Sequence, residues 1–375
     1  MPDPLLIQAA VFHHPPQLAP DGDDFVLTHP HTGLGYRLNR TAVLLWESVQ
    51  QPTTPAALRT RLRDEFDIDD AVATQTADAF VQRLWELGFV ELQQEDGGLS
   101  AMRRRYLQLL KKALVNLIYP EHELRLRYLE ARDPREERLA TQRALRDLRY
   151  TEPATFEELV ACKRDGQNFR KAVTRDAHTM VGLRRLDNIE WCAAQIFASG
   201  VDGDFLEAGV CQGGASIFMR ALQVAYGQQH RRMWVADSFE GLPAPSTETD
   251  AGLDFTEERM PWLAASLDSV RDNFRTYDLL SDEVQFVRGW FSDTLAAAAV
   301  EKIALLRIDA DLYASTRDVL TALYDRVAPG GFVIVDDYHA FRACRTAVDE
   351  FRAERGIVDP LRRVDWTATY WQKTS

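Results

Sequence analysis

The chain has 375 residues, of which 46% are hydrophobic and 27% are charged. This balance is typical of a folded enzyme with two or three domains, and it excludes a chain that is disordered throughout. The net charge of −13 makes a general attraction to nucleic acid or to an anionic membrane unfavourable. Four widely spaced cysteines and the lack of a signal-peptide pattern or a long apolar run favour the reducing cytoplasm. We therefore expect a cytoplasmic protein that binds neither nucleic acid nor a membrane.

A change of charge along the chain marks a domain boundary. Residues 1–100 carry 15 acidic and 6 basic side chains, whereas residues 101–150 carry 7 acidic and 13 basic ones. The change follows a polar stretch at Gln93–Asp96 and coincides with Gly97 and Gly98. We therefore predict a first domain over 1–97 and a third domain over 201–375. Residues 98–200 between them are predicted to form a helical linker that also covers the cofactor of the third domain.

The first domain has the pattern of a small winged helix. Three apolar runs predict strands over 5–11, 25–28 and 34–38. Three amphipathic helices follow, and their candidate N-caps are Asn39 or Thr41, Thr54, and Asp70 or the residue before it.

Within this domain three stretches resemble the PqqD-like family, the peptide-recognition domains of ribosomal peptide biosynthesis. The stretches are FVLTHPHTGLGYRLN (25–39), TAVLLW (41–46) and LWELGFVEL (84–92). The resemblance implies that a leader peptide adds a strand to the sheet edge and packs against the third helix, since an edge strand has unpaired backbone groups. The residues that would bind the peptide are Gly35, Tyr36, Arg37, Leu38, Val72 and Thr76. The alternative is a structural or dimerising winged helix, and the acidic charge disfavours DNA binding.

Helical patterns fill the segment that follows. Met102–Tyr119 has an apolar stripe and a basic face that includes Lys111 and Lys112. We expect that face to be solvated on a docking helix rather than bound to a membrane or to nucleic acid. Arg125–Arg149 is dense in Arg and Glu, which predicts an exposed helix or a connector. Two further helices are predicted over Phe156–Lys163 and Met180–Ala198.

From residue 203 onward, strands alternate with helices, and a glycine or an acidic residue lies at the end of each strand. The predicted strands are Asp204–Glu207, Met233–Ala236, Gln285–Val287, Ala304–Ile308 and Phe332–Val335. Such alternation predicts a mostly parallel sheet with helices on both faces, an α/β fold of Rossmann-like type. Ligands of these sheets bind at the carboxyl ends of the strands, where the polar residues of this chain lie.

The turn after the first of these strands predicts the kind of ligand. Small residues over 208–214 allow a sharp passage from strand to helix beneath a bound molecule. Asp237 ends the next strand, where a carboxylate accepts both ribose hydroxyls of an adenosine. The turn lacks the GxGxxG pattern of a pyrophosphate site, which points to S-adenosylmethionine. The alternative for Glu207 and Asp237 is helix capping or a surface ion pair.

Carboxylates at the ends of two strands predict a metal site. Asp309 ends one strand, and Asp336 and Asp337 end another that we expect to be its neighbour. Converging carboxylates repel each other unless a cation joins them, and hard oxygen ligands select Mg²⁺. Mg²⁺ lowers the pKa of a bound hydroxyl, and Asp309 is the best candidate to take its proton. Alternatively, one or two of these aspartates cap helices, and for Asp311 we expect such a local role.

Seven stretches in order resemble the macrocin O-methyltransferase family of the TylF/MycF type, a class I methyltransferase family. They are AHTMVGLRRLDN (177–188), DFLEAGVCQGGASIFMRA (204–221), WVADSFEGLP (234–243), GWFSDTL (289–295), LLRIDADLYAST (305–316), PGGFVIVDDY (329–338) and VDWTATYW (364–371). The resemblance implies O-methyl transfer that depends on S-adenosylmethionine and Mg²⁺, best known on deoxysugar hydroxyls of macrolides.

The resemblance also implies roles for single residues. The cofactor-binding residues would be Met180 at the methyl group, Glu207, Gly209 and Gly213 at the methionine, Asp237, Ser238 and Phe239 at the ribose, and Gly289 and Trp290 at the adenine. The metal carboxylates would be Asp309, Asp336 and Asp337. This chain departs from the family pattern with EAGVCQGG for ETGVWRGG, with an alanine in the usual DGD, and with His339 after the carboxylate pair. His178 and His339 are secondary candidates for a base or a substrate contact.

Joining the domains gives the main functional hypothesis. The first domain would capture a precursor peptide, and the last would methylate a hydroxyl or carboxylate on it, helped by the high local concentration of the captured peptide. The alternative is an O-methyltransferase for a sugar or a small natural product, with the winged helix as an assembly module. A third hypothesis is a binding protein without activity, which the intact aspartates oppose. We also expect a homodimer or a higher homo-oligomer.

Overall fold

The computed structural model describes residues 5–9, 16–28, 35–51, 53–86, 89–94, 98–120, 153–165 and 177–374. The chain divides into two compact units, Met1–Arg105 and Tyr106–Ser375. The pattern at 125–149 lies outside the described residues. None of the helices in the described ranges has the length and apolar character needed to cross a membrane.

The first unit contains two small antiparallel sheets and three helices. Its elements are β1 Leu5–Ala9, β2 Gln17–Asp21, β3 Asp24–Thr28, β4 Gly35–Leu38, α1 Arg40–Ser48, α2 Pro55–Glu65, α3 Asp70–Glu86 and β5 Val90–Gln94. β1 pairs with β5, while β2, β3 and β4 form the second sheet in that order. The sequence pattern missed β2, because this hairpin strand contains Pro20 and is largely exposed.

Capping side chains begin the helices of the first unit where the sequence predicts them. Asn39 accepts a hydrogen bond from the backbone N–H of Ala42 at 2.9 Å, and Thr54 accepts one from Ala57 at 3.1 Å. Asp69, the residue before Asp70, caps α3. These caps satisfy donors that a helix leaves unpaired at its start.

The second unit is a seven-stranded sheet with helices on both faces. Its helices are α4 Gly98–Leu114, which begins in the first unit, α5 Pro153–Asp165, α6 Leu183–Ala198, α7 Gly214–Ala225, α8 Leu267–Thr276, α9 Phe291–Thr294, α10 Tyr313–Leu323 and α11 Arg342–Glu354. Its strands are β6 Asp204–Ala208, β7 Met233–Asp237, β8 Val284–Arg288, β9 Ile303–Ile308, β10 Val327–Val335, β11 Arg362–Arg363 and β12 Thr369–Gln372. This is the fold class that the sequence predicts.

The strand order β11-β12-β10-β9-β6-β7-β8 places the predicted site. The five strands from β10 to β8 are parallel, whereas β12 runs antiparallel to β10 at one side of the sheet. The chain leaves β6 in one direction towards β7 and returns to its other side as β9. The switch point of the topology therefore lies between the carboxyl ends of β6 and β9, where such sheets bind ligands.

Alternate side chains of the sheet enter two cores. Phe205 of β6 packs in a core with residues of α4, α6, α7 and α8, whereas its neighbour Leu206 packs in a core with residues of α10 and α11. Each strand is therefore buried on both faces, which explains its continuous apolar sequence.

The prediction of a solvated basic face on α4 is wrong for Lys111. Its side chain is 1% exposed, forms ion pairs with Asp187 and Glu190 of α6, and lies 5.5 Å from the centre of the Phe218 ring. These two carboxylates compensate the charge that burial would otherwise disfavour.

Candidate functional site

A cavity of about 1160 Å³ opens at the carboxyl ends of the parallel strands. Most of the predicted site residues line it, namely Met180, Glu207, Gly209, Asp237, Ser238, Gly289, Trp290, Asp309, Asp336 and Asp337. Gly213 and Phe239 support neighbouring turns without lining the cavity. The volume is slightly above the ~300–1,000 Å³ usual for one small-molecule site.

Glycines shape the turn between β6 and α7. Gly209 has a φ of +88°, and a Cβ atom on it would lie 1.7 Å from the carbonyl oxygen of Asp309. Gly213 has a φ of +84° and donates a hydrogen bond to the carbonyl oxygen of Val210 at 2.7 Å. Only glycine allows the backbones after β6 and β9 to approach so closely.

Asp237 holds this turn from the end of β7. One carboxylate oxygen accepts a hydrogen bond from the N–H of Val210 at 2.7 Å, and the other accepts one from Phe239 at 2.8 Å. Ser238 fixes the following turn by donating to the carbonyl oxygen of Gly241 at 2.6 Å. Burial raises the pKa of Asp237, while these N–H groups favour its ionised form. The Ser238 hydroxyl also lies 3.3 Å from the oxygen that accepts from Phe239.

Arg307 is the centre of a buried charge network beneath the cavity. Its guanidinium donates to Glu207, to Asp309 at 2.8 Å, and to Asp336. Ser216 at the start of α7 donates to the other oxygen of Glu207. Burial raises the pKa of Glu207 to about 7, against the opposing effects of Arg307 and Ser216. Glu207, predicted at the methionine of the cofactor, is thus held by two side chains of the protein itself.

A second arginine pairs with Asp336. Arg185 of α6 donates to Asp336, and its Nε lies 3.2 Å from a carboxylate oxygen of Asp365. Burial alone would raise the pKa of Asp336, but Arg185 and Arg307 outweigh it and hold that pKa below its usual value. Each oxygen of Asp336 is therefore used by an arginine.

Asp311 lies close to two of the predicted metal ligands, Asp309 and Asp337. One carboxylate oxygen from each of Asp309, Asp311 and Asp337 lies within 4.8 Å of the others, and we call these three residues the acidic cluster. Burial and the charges of its neighbours raise the pKa of Asp337 well above its usual value. Its buried Oδ2 has no hydrogen-bond partner among the described residues. Three hard oxygen donors with one unsatisfied oxygen suit Mg²⁺. The metal-binding roles of Asp309, Asp336 and Asp337 stay predictions, and Asp311 is a further candidate.

The two histidines differ in position. His178 lines the cavity, its Nδ1 lies 2.6 Å from the hydroxyl oxygen of Tyr277, and burial lowers its pKa. His339 does not line the cavity; its ring packs on Tyr338 and lies 3.3 Å from a guanidinium nitrogen of Arg345. The geometry therefore favours His178 over His339 as a group that faces a ligand, and the catalytic role of His339 stays a prediction.

Aromatic side chains from separate segments line the rest of the cavity. Phe255 and Phe341 are in contact with ring centres 5.2 Å apart, and Trp262 and Trp366 also lie on the wall. Sequence reasoning gave none of these residues a role, although Trp366 lies in the quoted stretch VDWTATYW. It also missed Arg307, although a lone arginine inside the apolar strand ALLRI was a signal that a buried carboxylate needed a partner.

The surface predicted to bind a peptide belongs to the first unit. Among the described residues β4 pairs with β3 alone, so it is an edge strand. Tyr36 packs edge-on against Phe89, and Arg37 is exposed and lies 2.5 Å from Asp21. Val72 on α3 is 45% exposed. Gly35 is exposed, Thr76 is half-buried and Leu38 is buried in the core; binding of a peptide here stays a prediction.

Two protein families match the chain. The model of macrocin-O-methyltransferase (TylF) matches residues 103–373, and that of coenzyme PQQ synthesis protein D (PqqD) matches residues 24–90. A tetracenomycin-C rhamnosyl 4'-O-methyltransferase from Streptomyces olivaceus is 42% identical over 73% of this chain and 94% of its own length. Mycinamicin III 3''-O-methyltransferase from Micromonospora griseorubida is 39% identical over 72% of this chain and 96% of its own.

A solved structure gives the same result for the fold. The O-methyltransferase NovP is 38% identical, covers 73% of this chain and 100% of its own, and superposes with a TM-score of 0.59. These relatives are thus matched along nearly their whole length, by about three quarters of this chain.

Proposed function

The chain belongs to the macrocin-O-methyltransferase (TylF) family and is an S-adenosylmethionine-dependent O-methyltransferase; we propose that its acceptor is a sugar hydroxyl on a glycosylated natural product. Two relatives matched along nearly their whole length are named for methylation of a sugar position on an antibiotic. The observation that carries the proposal is one cavity that joins Asp237 and the glycine turn to the acidic cluster.

Asp237 and the turn at Gly209 bind the cofactor in this proposal. Asp237, at the end of β7, accepts the ribose hydroxyls, and the glycine turn at Gly209 lies beside the methionine part. Gly289 and Trp290, at the end of β8, lie on the same wall for the adenine.

The acidic cluster acts on the acceptor. Its oxygens would hold Mg²⁺, which supplies Lewis acidity that lowers the pKa of a hydroxyl. Asp309 takes the hydroxyl proton as the oxygen forms a bond to the methyl carbon. The bond between that carbon and sulfur breaks, its electron pair stays on sulfur, and the products are a methyl ether and S-adenosylhomocysteine.

The aromatic wall suits the remainder of a glycoside. Phe255, Phe341 and Trp366 offer apolar faces for the carbon side of a sugar or for an aglycone, while the hydroxyl edge meets the acidic cluster. In this proposal the cavity of about 1160 Å³ takes both the cofactor and the acceptor.

The test is methyl transfer to a panel of acceptors that includes demethyldecarbamoylnovobiocin and mycinamicin III, followed by mass spectrometry. We expect a methyl ether on a sugar with at least one glycosylated acceptor and none with its aglycone. Equal methylation of the aglycones would contradict a sugar acceptor.

A second candidate function comes from the match of residues 24–90 to PqqD. We propose it as an alternative in which the acceptor lies on a ribosomally made peptide that pairs with β4. The edge position of β4 and the exposed side chain of Val72 support it. Fluorescence anisotropy of the full chain with labelled precursor peptides encoded near its gene tests this candidate. A matched Val72→Asp variant should bind more weakly, whereas equal binding would argue against this surface.

A further inference from the structure

One buried carboxylate, in a segment that supplies part of the cavity wall, has no role in the reaction described above. Residues 239–266 join β7 to α8 and supply much of the wall, including Phe255 and Trp262. Within this segment Asp250 is fully buried, although Thr249 and Ala251 on either side of it are exposed. A buried carboxylate is stable only where donors surround it.

The donors that Asp250 accepts from lie at the start of another element. One oxygen accepts from the backbone N–H of Tyr313 at 2.6 Å, and the other accepts from Ala314 at 3.2 Å. Thr247 of its own segment donates to that second oxygen at 2.8 Å. Tyr313 and Ala314 are the first two residues of α10.

Helix α10 lacks a cap of its own. Its N-cap residue is Leu312, whose side chain makes no capping hydrogen bond, so Asp250 supplies from a distant segment what a cap residue normally supplies locally. A negative charge is also favourable at the positive end of the helix dipole.

The position of α10 matters because it directly follows the acidic cluster. Asp309 and Asp311 lie on the turn between β9 and α10, and Asp311 has a φ of +54°. The backbone N–H of Asp309 bonds to Ala208 at 2.9 Å, which fixes the start of the turn to the sheet. The cap by Asp250 fixes the other end of the turn.

We propose that Asp250 is a positioning residue that fastens the 239–266 segment to α10. The part of the cavity wall that this segment supplies and the acidic cluster then keep a fixed relative position. The proposal rests on the proposed function only in taking this wall as the acceptor side. The capping itself needs no acceptor.

Hydrogen–deuterium exchange of the full chain with S-adenosylhomocysteine bound tests the proposal without an acceptor. In Asp250→Ala we expect peptides over 239–266 and 311–316 to exchange about tenfold faster, since both lose the same anchor. Affinity for S-adenosylhomocysteine, measured by calorimetry, should stay within about twofold, because Asp237 and the glycine turn are not involved.

Two further variants separate positioning from general stability. Asp250→Asn keeps one acceptor oxygen and should show about half of the loss of exchange protection expected for Asp250→Ala. If the alanine variant does not fold, exchange in the asparagine variant tests the proposal instead. Asp254→Ala removes an exposed carboxylate of the same segment that bonds only locally to Thr256 and the nearby Arg259, and it should leave exchange unchanged.

Unchanged exchange over 311–316 in Asp250→Ala would overturn the proposal. Equally faster hydrogen exchange in β6 and β9, together with loss of S-adenosylhomocysteine binding, would also overturn the proposal. Asp250 would then stabilise the whole unit. A failure to methylate any acceptor would instead count against the proposed function and leave the exchange result valid.

Discussion

The two halves of the cavity are held in different ways. On the cofactor half, backbone hydrogen bonds join the neighbouring strand ends, and the Asp237 carboxylate accepts from the backbone N–H groups of Val210 and Phe239. On the acidic half, side chains from distant elements hold one another through buried charges, with Arg185, Arg307 and Asp336 as the central members.

This difference decides which half tolerates change. Backbone contacts survive most side-chain substitutions, whereas a network of buried charges fails when one partner leaves the others uncompensated. The cofactor half is therefore the stable frame, and the acidic half is the part where single substitutions alter both folding and chemistry.

The largest effect is expected from the centre of the charge network. Arg307→Met leaves the buried Glu207 and Asp336 and the half-buried Asp309 without their shared cation, and should lower the free energy of unfolding by about 3–5 kcal/mol. Denaturant unfolding monitored by circular dichroism measures this change.

Arg288 provides the matched control, because its ion pair with Glu240 is exposed on both sides. Arg288→Met should cost only about 0–1 kcal/mol. Equal unfolding midpoints for the two variants would show that the network does not stabilise the acidic half.

The next effect concerns the cofactor half. Asp237→Ala should weaken S-adenosylmethionine binding about 1,000-fold, since two hydrogen bonds to a charged group contribute about 1.5–3 kcal/mol each. Isothermal titration calorimetry measures the affinity. The control is Asp204→Ala, which removes a carboxylate at the amino end of β6, at the other end of the strands from the cavity. This carboxylate accepts from Arg232 and Trp234. Unchanged affinity in Asp237→Ala would refute its role at the ribose.

A third pair of variants tests whether Asp311 or Asp336 is the third metal ligand beside Asp309 and Asp337. Asp311→Asn should weaken divalent-ion binding by about 100-fold, because it removes a charged oxygen ligand. Asp336→Asn should change ion affinity only a few-fold and lower stability instead, because Arg185 and Arg307 lose their partner. Electron paramagnetic resonance with Mn²⁺ in place of Mg²⁺ measures the affinity. The opposite order of effects would restore Asp336 as the ligand.

The sequence predicts what depends on neighbours in the chain. The five parallel strands, the glycine turn and the helix caps at Asn39 and Thr54 follow from local patterns, and the structure contains them. Asp237 lies at the predicted strand end because the alternation of strand and helix fixes that end.

The direction in which a buried carboxylate points does not follow from local pattern. Asp336 is 151 positions from Arg185, and only the packing of α6 against the sheet brings the two together. Asp311 likewise enters the acidic cluster through a left-handed turn at φ +54°, which a non-glycine residue rarely adopts. The same reasoning applies to Asp250, whose partners lie 63 and 64 positions away.

The smallest effect is expected from removing the first domain. Both halves of the cavity are built from residues after 176, and the TylF match begins at residue 103. A chain starting at residue 98 should therefore keep its S-adenosylmethionine affinity within about twofold, since the two units have separate cores. Calorimetry on the truncated and full chains, each checked by circular dichroism, makes the comparison. A folded truncated chain that no longer binds the cofactor would mean that the first domain completes the cofactor half. The comparison between the two halves would then have to include the first domain.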